Sequence, residues 1–127
     1  MDRKFVLTGL IYAVIGILLG IFMAATHNHA QLVTHAHILL AGFVVSFIYG
    51  LCHKLWINNQ VTTLSKLQFY FHQVGVALLS SGLFLLYGNY VTLEVIDPLL
   101  AISSFIFLTG MIMMVILFLK SGKEVTV

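Results

Sequence analysis

The sequence has few of the charged residues that a water-soluble domain needs on its surface. Only 8% of its 127 residues are charged, whereas 61% are hydrophobic. A soluble domain carries about 25% charged residues and about 45–50% apolar ones. A soluble globule of this length keeps a large part of its surface in water and has no room to hide so much apolar surface. The composition therefore excludes a soluble domain and predicts an integral membrane protein, with a single transmembrane domain over 1–127.

Cysteine and proline are also scarce, with one residue of each. The single cysteine, Cys52, excludes a disulfide framework and a zinc site built from cysteines. The single proline and the low polar content exclude a disordered chain. Histidine, by contrast, is abundant, since the chain has six histidines and only six Lys and Arg together.

Long apolar runs predict four transmembrane helices. A helix needs about 20 apolar residues to cross the hydrocarbon core of a bilayer, and such runs cover 5–25, 32–54, 67–87 and 98–119. Pro98 suits the first turn of the last helix. The runs lack the alternation of polar and apolar residues that β-barrel strands show. The predicted fold class is therefore all-α, a four-helix bundle in the membrane.

Basic residues predict the orientation of the bundle. With four spans, both termini and the middle loop share one side, and this side holds every basic residue: Arg3, Lys4, Lys54, Lys66, Lys120 and Lys123. The opposite loops carry Glu94 and Asp97 and no Lys or Arg. Because Lys and Arg favour the cytoplasmic side, we expect both termini in the cytoplasm of a bacterial inner membrane. Lipid is the expected partner, and nucleic acid is not.

The topology sorts the histidines into two layers. Four are predicted at the outer side and two at the inner side: His27, His29, His35 and His37 in the first group, His53 and His72 in the second. Ionisable side chains inside spans are expensive and are candidates for function by default.

The spacing along the second span predicts a cofactor face. His35 and His53 are 18 residues apart, which is five turns at 3.6 residues per turn, so both point to one side about 27 Å apart. Gly42 and Ser46 lie within about 20° of the same line. We interpret these small residues as space for a flat macrocycle beside the histidines. His37 points well away from this line, although either His35 or His37 can be the ligand.

The inner histidines predict a heme site. His53 and His72 lie on neighbouring antiparallel spans at similar depth, and two such imidazoles can ligate one heme iron from both sides. His35 is the third candidate iron ligand, with its partner supplied by His27, His29, Met23 or a second copy of the chain. The resulting hypothesis is a heme b protein with bis-histidine ligation, acting in electron transfer or redox support. A homo-oligomer and a quinone or other redox partner are expected, and any enzymatic reaction would be quinol- or heme-linked oxidoreduction.

Two alternatives remain open at this point. The outer histidines His27, His29, His35 and His37 lie within eleven residues, and imidazoles also suit copper and zinc. The chain would then serve metal sensing, delivery or transport. The second alternative is a heme-free accessory subunit whose polar residues only stabilise helix contacts.

The second span also resembles a known family. Its sequence Thr34-His35-Ala36-His37-Ile38-Leu39-Leu40-Ala41-Gly42-Phe43, continued by Ile48-Tyr49-Gly50-Leu51, resembles the second helix of heme-copper oxidase catalytic subunits. The C-family oxidases and nitric oxide reductases are the most similar branch, together with small four-helix bacterial proteins described as oxidase-subunit-1-like. The resemblance implies that His35 ligates heme b. The chain lacks the later helices that carry the second low-spin ligand and the copper ligands, so the resemblance does not imply oxygen or nitric oxide reduction.

Overall fold

The computed structural model describes residues 1–124 and confirms an all-α fold. Four helices follow one another, α1 (Asp2–Thr26), α2 (Leu32–Leu55), α3 (Thr63–Tyr87) and α4 (Leu93–Glu124). Each helix contains a segment long and apolar enough to cross a membrane, as a multi-pass membrane protein requires. Residues 125–127 of the predicted domain, and the side chain of Lys123 used for its orientation, lie outside the described part.

Three helices, α1, α3 and α4, begin earlier than their apolar runs, and the difference is largest for α3 and α4. α3 starts at Thr63 because a capping box precedes it, in which Thr62 Oγ1 accepts from the Ser65 N–H and Ser65 Oγ accepts from the Thr62 N–H. α4 starts at Leu93, so the prediction that Pro98 lies in its first turn is wrong. Proline at the sixth position of the helix removes only one intrahelical hydrogen-bond donor. The earlier start places Glu94 in the first turn, at the positive end of the helix dipole.

The second helix changes its winding in the middle. Residues Leu32–His37 and Val45–Leu55 are α-helical, and Ile38–Val44 between them is π-helical. A π-helix pairs residues five apart instead of four, and such segments occur often at functional sites. Side chains after this segment are therefore rotated relative to the positions that a uniform 3.6-residue period predicts.

Glycines bring the helices together in two hairpins, α1 with α2 and α3 with α4. On α1, a Cβ atom at Gly16 would lie 2.6 Å from a Leu39 side-chain carbon of α2. On α3, a Cβ atom at Gly75 would lie 2.9 Å from the Phe107 backbone nitrogen of α4. The small residues of α1 thus serve packing within the chain, one of the roles that small residues have in membrane helices.

The start of α1 and the last part of α4 lie at the same end of the bundle. The Asp2 N–H donates to Asn59 Oδ1 in the loop between α2 and α3, at 3.3 Å. Trp56 at the end of α2 packs against Phe118 of α4, with ring centroids 5.9 Å apart. We call this the basic end, because Arg3, Lys4, Lys54, Lys66 and Lys120 belong to it. The opposite end, which carries Glu94 and Asp97, is the acidic end.

Polar side chains are buried inside the bundle, and large apolar side chains cover its outside. The polar group includes Thr34, Ser46, His53, Ser65, Gln68, His72 and Ser103, each at most 1% exposed. Exposed apolar residues such as Leu18, Phe22 and Phe105 point outward on the spans. An apolar exterior is compatible with contact with lipid chains, whereas polar groups in a membrane protein face the bundle interior.

Candidate functional site

Four polar residues form a buried cluster where the two hairpins meet. Ser46 and His53 come from α2, and Gln68 and His72 come from α3; we call these four the buried polar cluster. Ser46 Oγ lies 2.7 Å from His72 Nε2, and His53 Nε2 lies 3.4 Å from Gln68 Oε1. Since Gln68 and His72 are four residues apart, the two hydrogen bonds lie about 6 Å apart along α3. The structure therefore places both inner histidines in one cluster, His53 one turn nearer the basic end.

Phe5 of α1 lies against both of these histidines. Its ring stacks on His53 with centroids 5.3 Å apart, and it lies 5.8 Å from His72 in a tilted arrangement. Phe5 is fully buried and also packs edge-on against Tyr49 and Phe69. A macrocycle held between His53 and His72 would have to displace this ring, and both Nε2 atoms already have protein partners. The cluster as packed does not fit a heme between the two imidazoles.

Three buried nitrogens of the cluster have no hydrogen-bond partner among the described residues. They are His53 Nδ1, Gln68 Nε2 and His72 Nδ1. The Gln68 carbonyl oxygen can only accept, so His53 Nε2 carries the proton and His53 Nδ1 presents a lone pair. Unsatisfied buried polar atoms are rare in native proteins. Their concentration here distinguishes the cluster from the other buried polar residues of the described part of the chain.

His35 belongs to a different environment. Its Nδ1 lies 2.8 Å from the Gly16 carbonyl oxygen of α1, and its ring covers Gly20, where a Cβ atom would come within 2.9 Å of His35 Cε1. A carbonyl oxygen only accepts, so Nδ1 carries the proton and Nε2 keeps its lone pair. No partner for Nε2 occurs in the described part of the chain. Metal-ligating histidines almost always donate their other ring N–H in this way, so His35 fits an axial ligand of heme iron.

The remaining outer histidines do not assemble with His35 into a closed site. His37 Nδ1 bonds the Val33 carbonyl of its own helix at 2.8 Å, which also leaves its Nε2 lone pair available. His27 and His29 are exposed in the first loop, where His27 ends α1 in a left-handed conformation (φ 54°). Within residues 1–124, no three His, Cys, Asp or Glu side chains are placed to hold a metal ion. The copper or zinc alternative stays a prediction.

The predicted cofactor face of α2 is filled by side chains of the chain itself. His35 and Gly42 face α1, where the Tyr12 ring occupies the space beside Gly42, 2.7 Å from a Cβ atom built there. Ser46 and His53 also contact α1, through Gly9 and Phe5, and in addition they hydrogen-bond to α3. The π-helical segment lies between His35 and Ser46 and breaks the period on which the prediction depended. Gly42 therefore makes room for a side chain of this chain.

Sequence reasoning missed the residues that complete these sites. In the sequence, Gln68 is a polar residue near the start of a span, and Phe5 is one apolar residue among many. A signal for Gln68 existed, because Gln68 and His72 are four residues apart and share one helix face. No pattern pointed to Phe5, because an aromatic residue at a span end is ordinary in membrane proteins.

Comparison with known protein families, with curated proteins and with solved structures finds no match to this chain. The resemblance of the second span to heme-copper oxidase subunits stays a prediction, based on the motif around His35. The function is accordingly inferred from the chemistry of the chain's own residues.

Proposed function

We propose that the protein binds heme b in the membrane through His35 and takes part in electron transfer. The observation that supports this proposal is the state of the His35 imidazole, whose Nδ1–H is held by the Gly16 carbonyl while Nε2 keeps a lone pair without a partner. Heme, when bound, supplies reversible one-electron chemistry at its iron.

The neighbouring helix sets both the tautomer and the position of the ligand. The Gly16 carbonyl holds the proton on Nδ1, and the missing side chain of Gly20 leaves room for the imidazole ring beside α1. The hydrogen bond also fixes the ring orientation, as outer partners do for ligating histidines. In this proposal, Nε2 of His35 is the atom that binds the iron.

The second axial ligand comes from a second copy of the chain in this proposal. His72 is the only histidine of α3 and α4, and it pairs with Ser46, eleven residues and about 16 Å along α2 from His35. His27 and His29 lie exposed in the loop beyond the span. A two-fold symmetric pair would present the same imidazole from each copy.

Reduced-minus-oxidised absorption spectra of the purified protein, expressed with sufficient heme, test the proposal. We expect a b-type spectrum with one heme for two chains, lost in His35→Ala and restored in part by free imidazole. His29→Ala is the matched control, because it removes an exposed outer histidine, and it should keep the spectrum. Gly20→Ala should shift the spectrum, because the added methyl group displaces the imidazole without removing it.

Other results would assign the site elsewhere. Absence of a Soret band in the wild type would contradict heme binding and favour the heme-free accessory subunit, or a copper or zinc protein if elemental analysis finds metal. Heme kept in His35→Ala but lost in both His53→Ala and His72→Ala would move it to the buried polar cluster, with Phe5 displaced. One heme per chain, lost in His27→Ala or His29→Ala, would place the second ligand in the loop.

A further inference from the structure

A cavity of about 450 Å³ lies between α1, α2 and α3 and is separate from both histidine sites. Its lining is mostly apolar, with hydroxyl groups from Tyr12, Thr34, Ser80 and Ser81 and an aromatic wall from Phe84. Its lining residues lie inside the spans, and it is open rather than enclosed. Its volume is that of a small-molecule site, since such sites span about 300–1,000 Å³.

The two serines of the cavity have unused hydroxyl groups. Ser80 and Ser81 make no side-chain hydrogen bond among the described residues, whereas the hydroxyls of Ser103 and Ser104 in α4 both donate to the Leu100 carbonyl. Serine in a helix ordinarily forms such a bond to its own backbone. Ser80 is half-buried and Ser81 is exposed, and because a polar group without a partner is costly in hydrocarbon, both hydroxyls favour an external acceptor where one is present.

The other two hydroxyls are already committed and are held rigidly. Tyr12 donates to Gln73 Oε1 at 3.3 Å, and Gln73 Nε2 donates in turn to Thr8 Oγ1 at 3.0 Å. Thr34, fully buried, donates to Gln31 Oε1 at 2.7 Å. Tyr12 and Thr34 can therefore only accept a further hydrogen bond, and the cavity offers two free donors beside two fixed oxygens.

We propose that this cavity binds a quinone, a neutral flat molecule of the lipid phase with carbonyl acceptors on its ring. No charged residue of the described part of the chain lines the cavity, which favours an uncharged head group. The free serine hydroxyls match carbonyl oxygens, and the rings of Tyr12 and Phe84 offer aromatic surfaces for a flat ring. The inference concerns binding alone and stands independently of the heme proposal.

Titration of a decyl-substituted benzoquinone into the full chain in nanodiscs tests the inference, with calorimetry or the shift in Tm as the readout. A neutral hydrogen bond contributes about 1 kcal/mol, so the double variant Ser80→Ala/Ser81→Ala should lose on the order of tenfold to thirtyfold in affinity. The matched control Ser103→Ala/Ser104→Ala removes a similar adjacent pair in α4 and should change affinity less than about twofold, because no ligand bond is lost.

A second variant tests the need for free volume in the cavity separately from the need for hydrogen bonds. Ala77→Phe fills the cavity and leaves all four hydroxyls in place, since Ala77 also lines it, and it should abolish saturable binding. Binding that is absent in the wild type, unchanged in Ala77→Phe, or equally weakened by both serine pairs would overturn the inference. Equal competition by a long-chain alcohol, which has no ring, would also overturn it in favour of a general lipid site.

Discussion

Replacing Ser46 with alanine removes the hydroxyl that lies 2.7 Å from His72 Nε2. Both residues are fully enclosed, with exposures of 0% and 1%, and His72 Nδ1 already lacks a partner. The variant would leave both imidazole nitrogens unbonded in an apolar interior. Such a loss costs about 1–3 kcal/mol in soluble proteins, and interhelical hydrogen bonds in membrane proteins average about 0.6 kcal/mol with a maximum of about 1.7. We expect the free energy of unfolding to fall by about 1–2 kcal/mol.

Unfolding in mixed micelles with increasing SDS measures this loss. The matched control is Ser103→Ala, because Ser103 is equally buried but donates only to the Leu100 carbonyl of its own helix. That carbonyl keeps its place in the helical ladder, so the control should cost less than about 0.5 kcal/mol. Equal losses for Ser46→Ala and Ser103→Ala would refute the importance of the bond between the hairpins.

A double-mutant cycle isolates the pair itself. In a His72→Leu background the Ser46 hydroxyl has lost its partner, so Ser46→Ala should then cost less than about 0.5 kcal/mol. The difference between the two backgrounds, about 1 kcal/mol, is the coupling energy. Identical costs in both backgrounds would show that the hydroxyl stabilises the helix by another contact and that the Ser46–His72 geometry contributes nothing.

Three other predictions concern packing and orientation. Phe5→Ala should lower the free energy of unfolding by about 3–5 kcal/mol, because it empties the centre of the aromatic cluster; a loss below about 1 kcal/mol would contradict this packing. Gly75→Ala should destabilise the protein, because the nearest α4 backbone atom lies 2.9 Å from the added Cβ. The control Gly122→Ala should be neutral or stabilising, because the added Cβ meets nothing within 4 Å. Thermal unfolding of both variants measures the difference. In a variant without the native cysteine, Asn59→Cys should react with an impermeant maleimide only from the cytoplasmic side, and Asn89→Cys only from outside. The two positions form a matched pair because both have positive φ. The reverse labelling would show that the topology is inverted.

The sequence predicted the helices well because the bilayer imposes a simple length rule. Each of the four apolar runs lies inside one observed helix, since hydropathy and the span length decide where a chain can cross. The ends were less predictable. Thr62 and Ser65 start α3 through a capping box that no apolar run contains, and Pro98 lies inside a helix that begins five residues earlier, with Glu94 in its first turn.

The sequence predicted the histidines of the candidate sites but not the contacts that these histidines make. Composition alone singled out the histidines, because imidazoles are rare and costly in spans. Their partners were not predictable, since His35 bonds a backbone carbonyl of α1 and His72 bonds a serine of α2. A uniform helical period placed His35, Ser46 and His53 on one line, and it could not show that the π-helical segment Ile38–Val44 lies between them or which helices they contact.

The amino-acid pattern was enough to predict a four-helix membrane protein with its basic residues at one end and to single out the histidines as candidate functional side chains. These features depend on hydropathy, charge and composition, which follow from the residues alone. Helix packing was needed to show that Phe5 lies against both inner histidines, that Gly16 fixes the tautomer of His35, and that two serines face a cavity without partners. Those features depend on helix rotation and close approach, which packing between helices sets and the apolar pattern does not encode.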